Sequence, residues 1–579
     1  MKQFTHGHER KRLGLVLLVL VVVGSFLLGT CSADDELLAM MPEDTLLCVR
    51  LNGLDQALEK LDQYLLGVAP FNISMMAKMQ LGGMLGNPQL AELDTRGALA
   101  FIALTDSKAT GTPPVRFGLL VPVQSFEGFM KASPSFQPAS EGVYKLNAGS
   151  GKTLLATAFK NYALLTRHGE ASELTALKKQ LSSGTSIQSS LDQAEVQRAT
   201  SEPIWVMANT AAVSKVFGSV LQEKVQQASA MMSAMAAMQQ GGAMAANPAQ
   251  TEAATKELFD ALSQSRYLAA SIAPSAEQLG VDVRLASKPG TALAEKLDKS
   301  KTKRDVGLMG FLQDGAAFSL TSNLVGKFIG GSFDSLAAHC PAENTEAKEK
   351  ATALTAEIAK QFQGASDALS VKLTPGQSPF FTVQYAAQIK DGAKLQEQIG
   401  EMAKILGDSL PEGTAAFKLQ SAVSEHQGVS IDGATVTPPM PLGSIKQLDY
   451  RMAYLDKLFV VTVGSGIEAG IKQLVDKAKA KPGPAPADVT KILAPVEEAQ
   501  AADLVAAINI AQILQLSPGA GAGQSTPTQS GMAALLNMDK GQATFGLRLP
   551  KKHLQEVMQA VQMLMMQRMM KQQPQQQQQ

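Results

Sequence analysis

Four times along the chain an apolar run of strand length gives way to Asn, Ser or Thr and then to apolar residues at helical spacing. The runs are 45–51 into Asn52, 204–208 into Asn209 and Thr210, 316–320 into Thr321 and Ser322, and 504–508 into Asn509. A side-chain oxygen at such a junction accepts from the unpaired N–H groups of a first helical turn, so each site predicts a strand, a cap and a helix. Leu54, Leu58, Leu61 and Leu65 form one apolar stripe after the first junction. A second signature follows each first one, a strand leading through a short polar turn into another helix. It covers 115–123 before Ser125 and Phe126, 280–286 before Thr291 and Ala292, 380–386 before Ala393 and Lys394, and 544–549 before Lys552 and His553.

The order of these signatures itself repeats. Extra apolar runs at 162–166 and 459–462, each followed by a helical pattern (173–181 and 471–477), occur after the first and third units and not after the second and fourth. Self-similarity of this kind marks repeated structural units. It predicts a targeting segment over 1–36 and two homologous halves, 37–302 and 303–571. Each half divides into a longer and a shorter module, 37–200 and 201–302, then 303–481 and 487–571. The Pro-rich stretch 482–486 reads as a linker, 231–247 and 519–531 as low-complexity insertions, and the Gln-rich tail 572–579 as disordered. Antiparallel hairpins with helices packed against the sheet make the expected fold α+β, in tandemly duplicated modules.

Composition narrows the function. Of 579 residues 45% are hydrophobic and 18% charged, with Lys plus Arg and Asp plus Glu both numbering 52. A chain with no net charge has no field to gather nucleic acid, so no nucleic-acid partner is expected. Aromatic residues make up only 5%, and Trp205 is the single tryptophan, which disfavours base-stacking surfaces. Three cysteines, of which Cys31 lies in the N-terminal region, imply no disulfide framework, and Cys48 in an apolar run reads as a small buried hydrophobe.

The N-terminus carries the most specific signal. Lys2, Arg10, Lys11 and Arg12 precede an uncharged, Leu- and Val-rich stretch over 13–30, and Asp34, Asp35 and Glu36 follow it. This is the pattern of a secretory signal, and its length also reaches that of a membrane-spanning anchor. Positive charge before the apolar segment places that end in the cytoplasm and the rest outside. Leu28-Gly29-Thr30-Cys31 resembles a bacterial lipoprotein box, in which Cys31 would be lipidated, although Thr30 departs from the usual Gly or Ala. Cleavage before Asp34, lipidation at Cys31 and retention as an anchor all remain open, and each leaves the chain exported.

The opening Met41-Pro42-Glu43-Asp44-Thr45, and the strand-to-helix close running from Leu458 through Val463 to Gly464-Ser465-Gly466, resemble a family of uncharacterised exported bacterial proteins known as a domain of unknown function. The resemblance spans most of the chain after the N-terminal segment. It implies export and brings no catalytic residues with it.

Three motifs suggest chemistry. Arg167-His168-Gly169-Glu170 resembles the catalytic start of the histidine phosphatases, with His168 as nucleophile and Arg167 clamping the phosphate. That family opens its domain on this motif, whereas here it lies mid-chain, and the matching place in the second half reads Val463-Gly464-Ser465, so an exposed turn is the simpler reading. Gly149-Ser150-Gly151-Lys152-Thr153 looks like the end of a phosphate-binding loop, but Leu146 stands where the first glycine is needed, and strand-like runs flank it, so it reads as a hairpin turn. Among 26 methionines, Met232, Met235 and Met238 recur at three-residue spacing. Thioethers can hold Cu(I), while a flexible apolar face is the plainer explanation. His339 beside Cys340 is a poor metal pair, and His426 and His553 read as surface or capping residues. Taken together these features predict an exported, membrane-associated, non-catalytic protein that takes a protein, peptide or apolar ligand and needs no cofactor. An extracytoplasmic hydrolase built on His168 and a Met-based copper protein are the alternatives.

Overall fold

The computed structural model describes residues 36–69, 72–105, 115–148, 152–167, 171–182, 184–218, 223, 256–257, 259–298, 303–324, 345–409, 416–437, 447–514 and 530–576. The chain divides into two compact units, 1–228 with 252–295, and 229–251 with 296–579. Both are α+β, with antiparallel sheet and packed helices.

Unit 1 contains β1 (Thr45–Asn52), β2 (Ala98–Thr105), β3 (Val115–Pro122), β4 (Phe136–Ser140), β5 (Val143–Ala148), β6 (Lys152–Phe159), β7 (Tyr162–Thr166), β8 (Ile204–Ala208), β9 (Ser265–Pro274) and β10 (Gln278–Ser287). Every pairing in it is antiparallel, and the order is β4-β5-β6-β7-β3-β2-β1-β8-β9-β10. Its helices include α1 (Glu36–Met40), α2 (Leu54–Leu65), α3 (Ile73–Met84), α4 (Phe126–Ala132), α5 (Ala171–Leu181) and α6 (Gln193–Ser201), and α7 (Ala292–Asp298) spans the unit border in the chain.

Unit 2 contains β11 (Phe318–Ser322), β12 (Asp367–Leu373), β13 (Phe381–Gln388), β14 (Ala416–His426), β15 (Val429–Thr437), β16 (Leu448–Tyr454), β17 (Leu458–Gly464), β18 (Leu504–Ile508), β19 (Met532–Asp539) and β20 (Gln542–Pro550). These run β14-β15-β16-β17-β13-β12-β11-β18-β19-β20, so each position of the first sheet is repeated ten strands later. The helices are α8 (Thr345–Gln361), α9 (Gly392–Ser409), α10 (Ile467–Ala480), α11 (Ala487–Leu493), α12 (Ile510–Leu514) and α13 (Lys551–Gln576).

The central strands of each unit are buried on both faces. In unit 1 Leu120, Leu164 and Trp205 pack with Leu174 and Leu177 of α5, while their chain neighbours Val121, Leu165 and Ile204 pack with Leu54 and Leu58 of α2 and Phe129 of α4. In unit 2 Ala386 and Val460 join Ile471 and Leu474 of α10, and Ala387 and Phe459 join Ile358 of α8 and Leu395 of α9. Successive strand residues point to opposite faces, so helices on both sides explain why the strand runs are continuously apolar rather than alternating.

The caps divide. Asn209 Oδ1 accepts from Ala212 N at 3.1 Å, Asn509 Oδ1 from Gln512 N at 3.1 Å, and Ser125 Oγ from Gly128 N at 3.0 Å, as the pattern predicts. Asn52 does not cap. It ends β1, and Gly53, at φ 67°, takes the cap position before α2 without a side-chain bond. Asn52 Nδ2 instead donates to the carbonyls of Ala199 (2.9 Å) and Glu202 (2.6 Å), fixing the end of α6 beside the sheet.

Candidate functional site

Of the residues singled out from sequence, Arg167 lies exposed just after β7. His168, Met232, Met235, Met238, Cys31, His339 and Cys340 lie outside the described residues. So do Gly149, Ser150 and Gly151; the strands on either side of them pair antiparallel, with Ala148 opposite Lys152. Cys48 is fully buried. Among the described residues no group of three or more His, Cys, Asp or Glu could hold a metal ion.

One constellation has the residue types of a hydrolytic triad. Ser530 Oγ donates to Glu556 Oε2 at 2.6 Å and lies 3.3 Å from His553 Nδ1. His553 Nε2 accepts from the backbone N–H of Ile510 at 3.3 Å. A neutral imidazole that accepts on Nε2 carries its proton on Nδ1, so toward Ser530 it is a donor and cannot serve as the base for that hydroxyl. The ring ties the start of α12 to α13. His553 is completely buried, not on the surface, and burial holds its pKa below the ordinary value against the pull of Glu556. His426 meets Asp476 Oδ1 at 2.6 Å at a half-exposed edge.

Unit 1 holds a buried polar network. Glu195 of α6 accepts from Trp205 Nε1 (2.7 Å) and from Arg284 Nε (2.7 Å) and Nη2 (3.0 Å). Arg284 Nη1 reaches Ser271 Oγ at 3.1 Å, and Tyr267 donates to Asp192 Oδ2 at 2.6 Å. Asp192 also caps α6 through Glu195 N. The side chains of Glu195 and Arg284 are 1% and 2% exposed, so no solute reaches them, and the network joins a helix to β8, β9 and β10.

The concave site lies in unit 2, at the corner where four chain segments end. Its volume is about 460 Å³. The 3-10 turn Val306–Phe311 contributes Leu308 and Phe311, the end of β13 contributes Ile389, and the start of β17 contributes Leu458, together an apolar floor. Around it stand Asp305, Gln361, Gln388, Lys390 and Lys457. Asp305 is held in place, accepting from Gly307 N at 2.8 Å and from Gln388 Nε2 at 2.6 Å. Lys457 Nζ donates to the Lys390 carbonyl at 2.5 Å, so the two ammonium-bearing side chains rise from adjoining backbone. Gln361, at the end of α8, is 6% exposed and lines the cavity, yet its Oε1 has no hydrogen-bond partner. A buried acceptor without a donor costs about 1–3 kcal/mol.

No protein-family model matches the chain. Nor does any curated protein. Solved structures of TP0453 are similar to part of it. Crystal form III has a TM-score of 0.22 and 13% identity over 44% of this chain and 98% of that one. Crystal form IV gives 0.22 and 12% over 45% and 98%, and crystal form I gives 0.19 and 9% over 44% and 96%. Likeness at this level carries no argument about the site. Among the described residues no helix is long and apolar enough to cross a membrane.

Unit 1 has a smaller cavity that shares part of this placement. A cavity of about 210 Å³ is bounded by Met40 and Met41 before β1, by Phe159 and Lys160 at the β6–β7 turn, and by Leu181 and Ser182 at the end of α5. These are the counterparts, by strand order, of the turn before β11, the β16–β17 turn and the end of α10. Met41 is fully buried there, and Leu37 and Leu38 fill the space beneath. Sequence reasoning missed the unit 2 corner because its residues come from separate elements between Asp305 and Pro482 and form no motif. The only local hint was a strand-to-turn junction at Gln388–Lys390.

Proposed function

We propose that this chain is an exported, membrane-associated, non-catalytic binding protein of the cell envelope, made of two tandemly duplicated halves and taking its ligand at the unit 2 corner. The observation that carries the reading is the corner itself. A cavity of about 460 Å³ with an apolar floor and a few convergent polar groups has the size and lining of a small-ligand site. Export rests on the basic residues before the apolar stretch 13–30 and the acidic residues after it.

Duplication is supported by the shared strand order and by one retained position. Arg284 lies opposite Ala269, and Arg548 opposite Ala533, at the same place in the two sheets. Each pairs with a glutamate from the helical segment before the eighth strand of its unit, Arg284 with Glu195 and Arg548 with Glu498 at 3.2 Å.

The test is native mass spectrometry of the full chain extracted from its own membrane. A reproducible adduct that disappears in a Leu308→Trp variant, which fills the corner, is the expected result. Repeated recovery of the bare chain refutes the reading.

A further inference from the structure

The corner of unit 2 presents three different demands. Two ammonium groups, Lys390 and Lys457, rise from adjoining backbone at one rim, one of them anchored at 3.4 Å to Gln363 Oε1. Asp305, the carboxylate lining the cavity, already receives Gly307 N and Gln388 Nε2, and Lys457 has only a loose, exposed partner in Asp456 at 3.9 Å. The buried Oε1 of Gln361 lacks a donor. Lys390 N donates to the Gln361 carbonyl at 3.0 Å, so Gln361 adjoins the lysine rim, and the same cavity is lined by the apolar floor of Leu308, Phe311, Ile389 and Leu458.

A molecule that answers all three carries an anionic group, an N–H donor close to it, and an apolar body. A simple fatty acid supplies the first and third and leaves Gln361 unanswered. Inorganic phosphate supplies only the first. The C-terminal residue of a peptide has all three within one amino acid: the α-carboxylate, its own amide N–H, and its side chain. Capture of a terminal carboxylate is an established mode of peptide recognition. The terminal torsion of a Gln side chain is broad, so a small turn brings Oε1 toward an entering donor.

We infer that the unit 2 corner binds peptide C-termini ending in an apolar residue, with the carboxylate at Lys390 and Lys457, the terminal N–H at Gln361 Oε1, and the side chain on the Leu308–Phe311 floor. This rests on the binding reading above and names the ligand class of the same site. The smaller corner in unit 1 has one lysine, Lys160, and Met41 in its lining, and is not assigned this ligand.

Fluorescence anisotropy with the full chain tests it, using fluorescein-labelled Gly-Ala-Leu-Leu with a free carboxylate, the same peptide as its C-terminal amide, and dodecanoate as competitor. The free acid should bind saturably and at least tenfold more tightly than the amide. Lys390→Ala with Lys457→Ala should weaken it tenfold or more and flatten its salt dependence. Gln361→Leu should weaken it several-fold while leaving the preference for acid over amide intact. Both lysines are exposed, so their loss leaves the core untouched, and an unchanged thermal midpoint checks that the Gln361 variant is folded. Equal binding of acid and amide, or failure of the acid to bind, overturns the inference. Tight dodecanoate binding with no peptide binding overturns it too, while leaving the broader binding reading standing. That broader reading falls only if the chain from its own membrane is bare.

Discussion

At the scale of single residues, buried charge decides most. Arg284 and Glu195 neutralise each other almost out of contact with water, so removing Glu195 strands Arg284, and removing Arg284 leaves Glu195 only the longer, half-exposed contact with Arg198 at 3.4 Å. Arg284→Met and Glu195→Leu should each destabilise by about 3–5 kcal/mol in urea denaturation, with the double variant recovering much of the loss because no lone charge remains. Arg548→Met tests the matching position with an exposed partner, Glu498 being 51% exposed, and should cost no more than about 1 kcal/mol. His553 gives a pH dependence of known sign. Its folded pKa lies below the ordinary 6.5, so the unfolded chain binds the extra proton. Its contribution is therefore complete above about pH 6.5 and is lost as pH falls below that value. Urea midpoints should fall more steeply for the parent than for His553→Gln as the pH drops from about 8 to about 5, the range around the imidazole value.

At the scale of elements, close approaches fix where segments end. A Cβ at Gly310 would lie 2.2 Å from the Gly483 carbonyl oxygen and 2.8 Å from Pro482 Cβ, so the 3-10 turn can meet the segment after α10 only with glycine there. Gly310→Ala should displace Pro482, lower the thermal midpoint and loosen any ligand held at the corner. The two units secure the segment before their eighth strand by different means. Unit 1 uses Asn52 on the carbonyls of Ala199 and Glu202, and unit 2 uses Arg304, with Nε on Ala502 O at 3.0 Å and Nη2 on Ala499 O at 2.5 Å. Asn52→Ala leaves those carbonyls short of a donor and should cost about 1–3 kcal/mol by the same denaturation measurement. The strand-to-helix junctions were legible because local chemistry makes them, as at Asn209 and Asn509. Asn52 misled because a capping residue and a buried clamp look alike in sequence, and only the arrival of α6 from more than a hundred residues away separates them.

At the scale of the whole molecule, the two units share one strand order, Arg284 and Arg548 stand at matching register positions, and the corner cavity is about 460 Å³ in unit 2 and about 210 Å³ in unit 1. The sequence by itself determined most of the elements, their order and the α+β class, since each depends on periodicity or composition within a short stretch. Only the tertiary structure decided that the central strands are covered on both faces, that Glu195 meets Arg284 across 89 residues, and that Asp305, Gln361, Lys390 and Lys457 share one cavity. The physical reason is the same in each case: a strand or a cap is written in neighbouring residues, whereas a site is made by which segment ends the packing of both layers brings together.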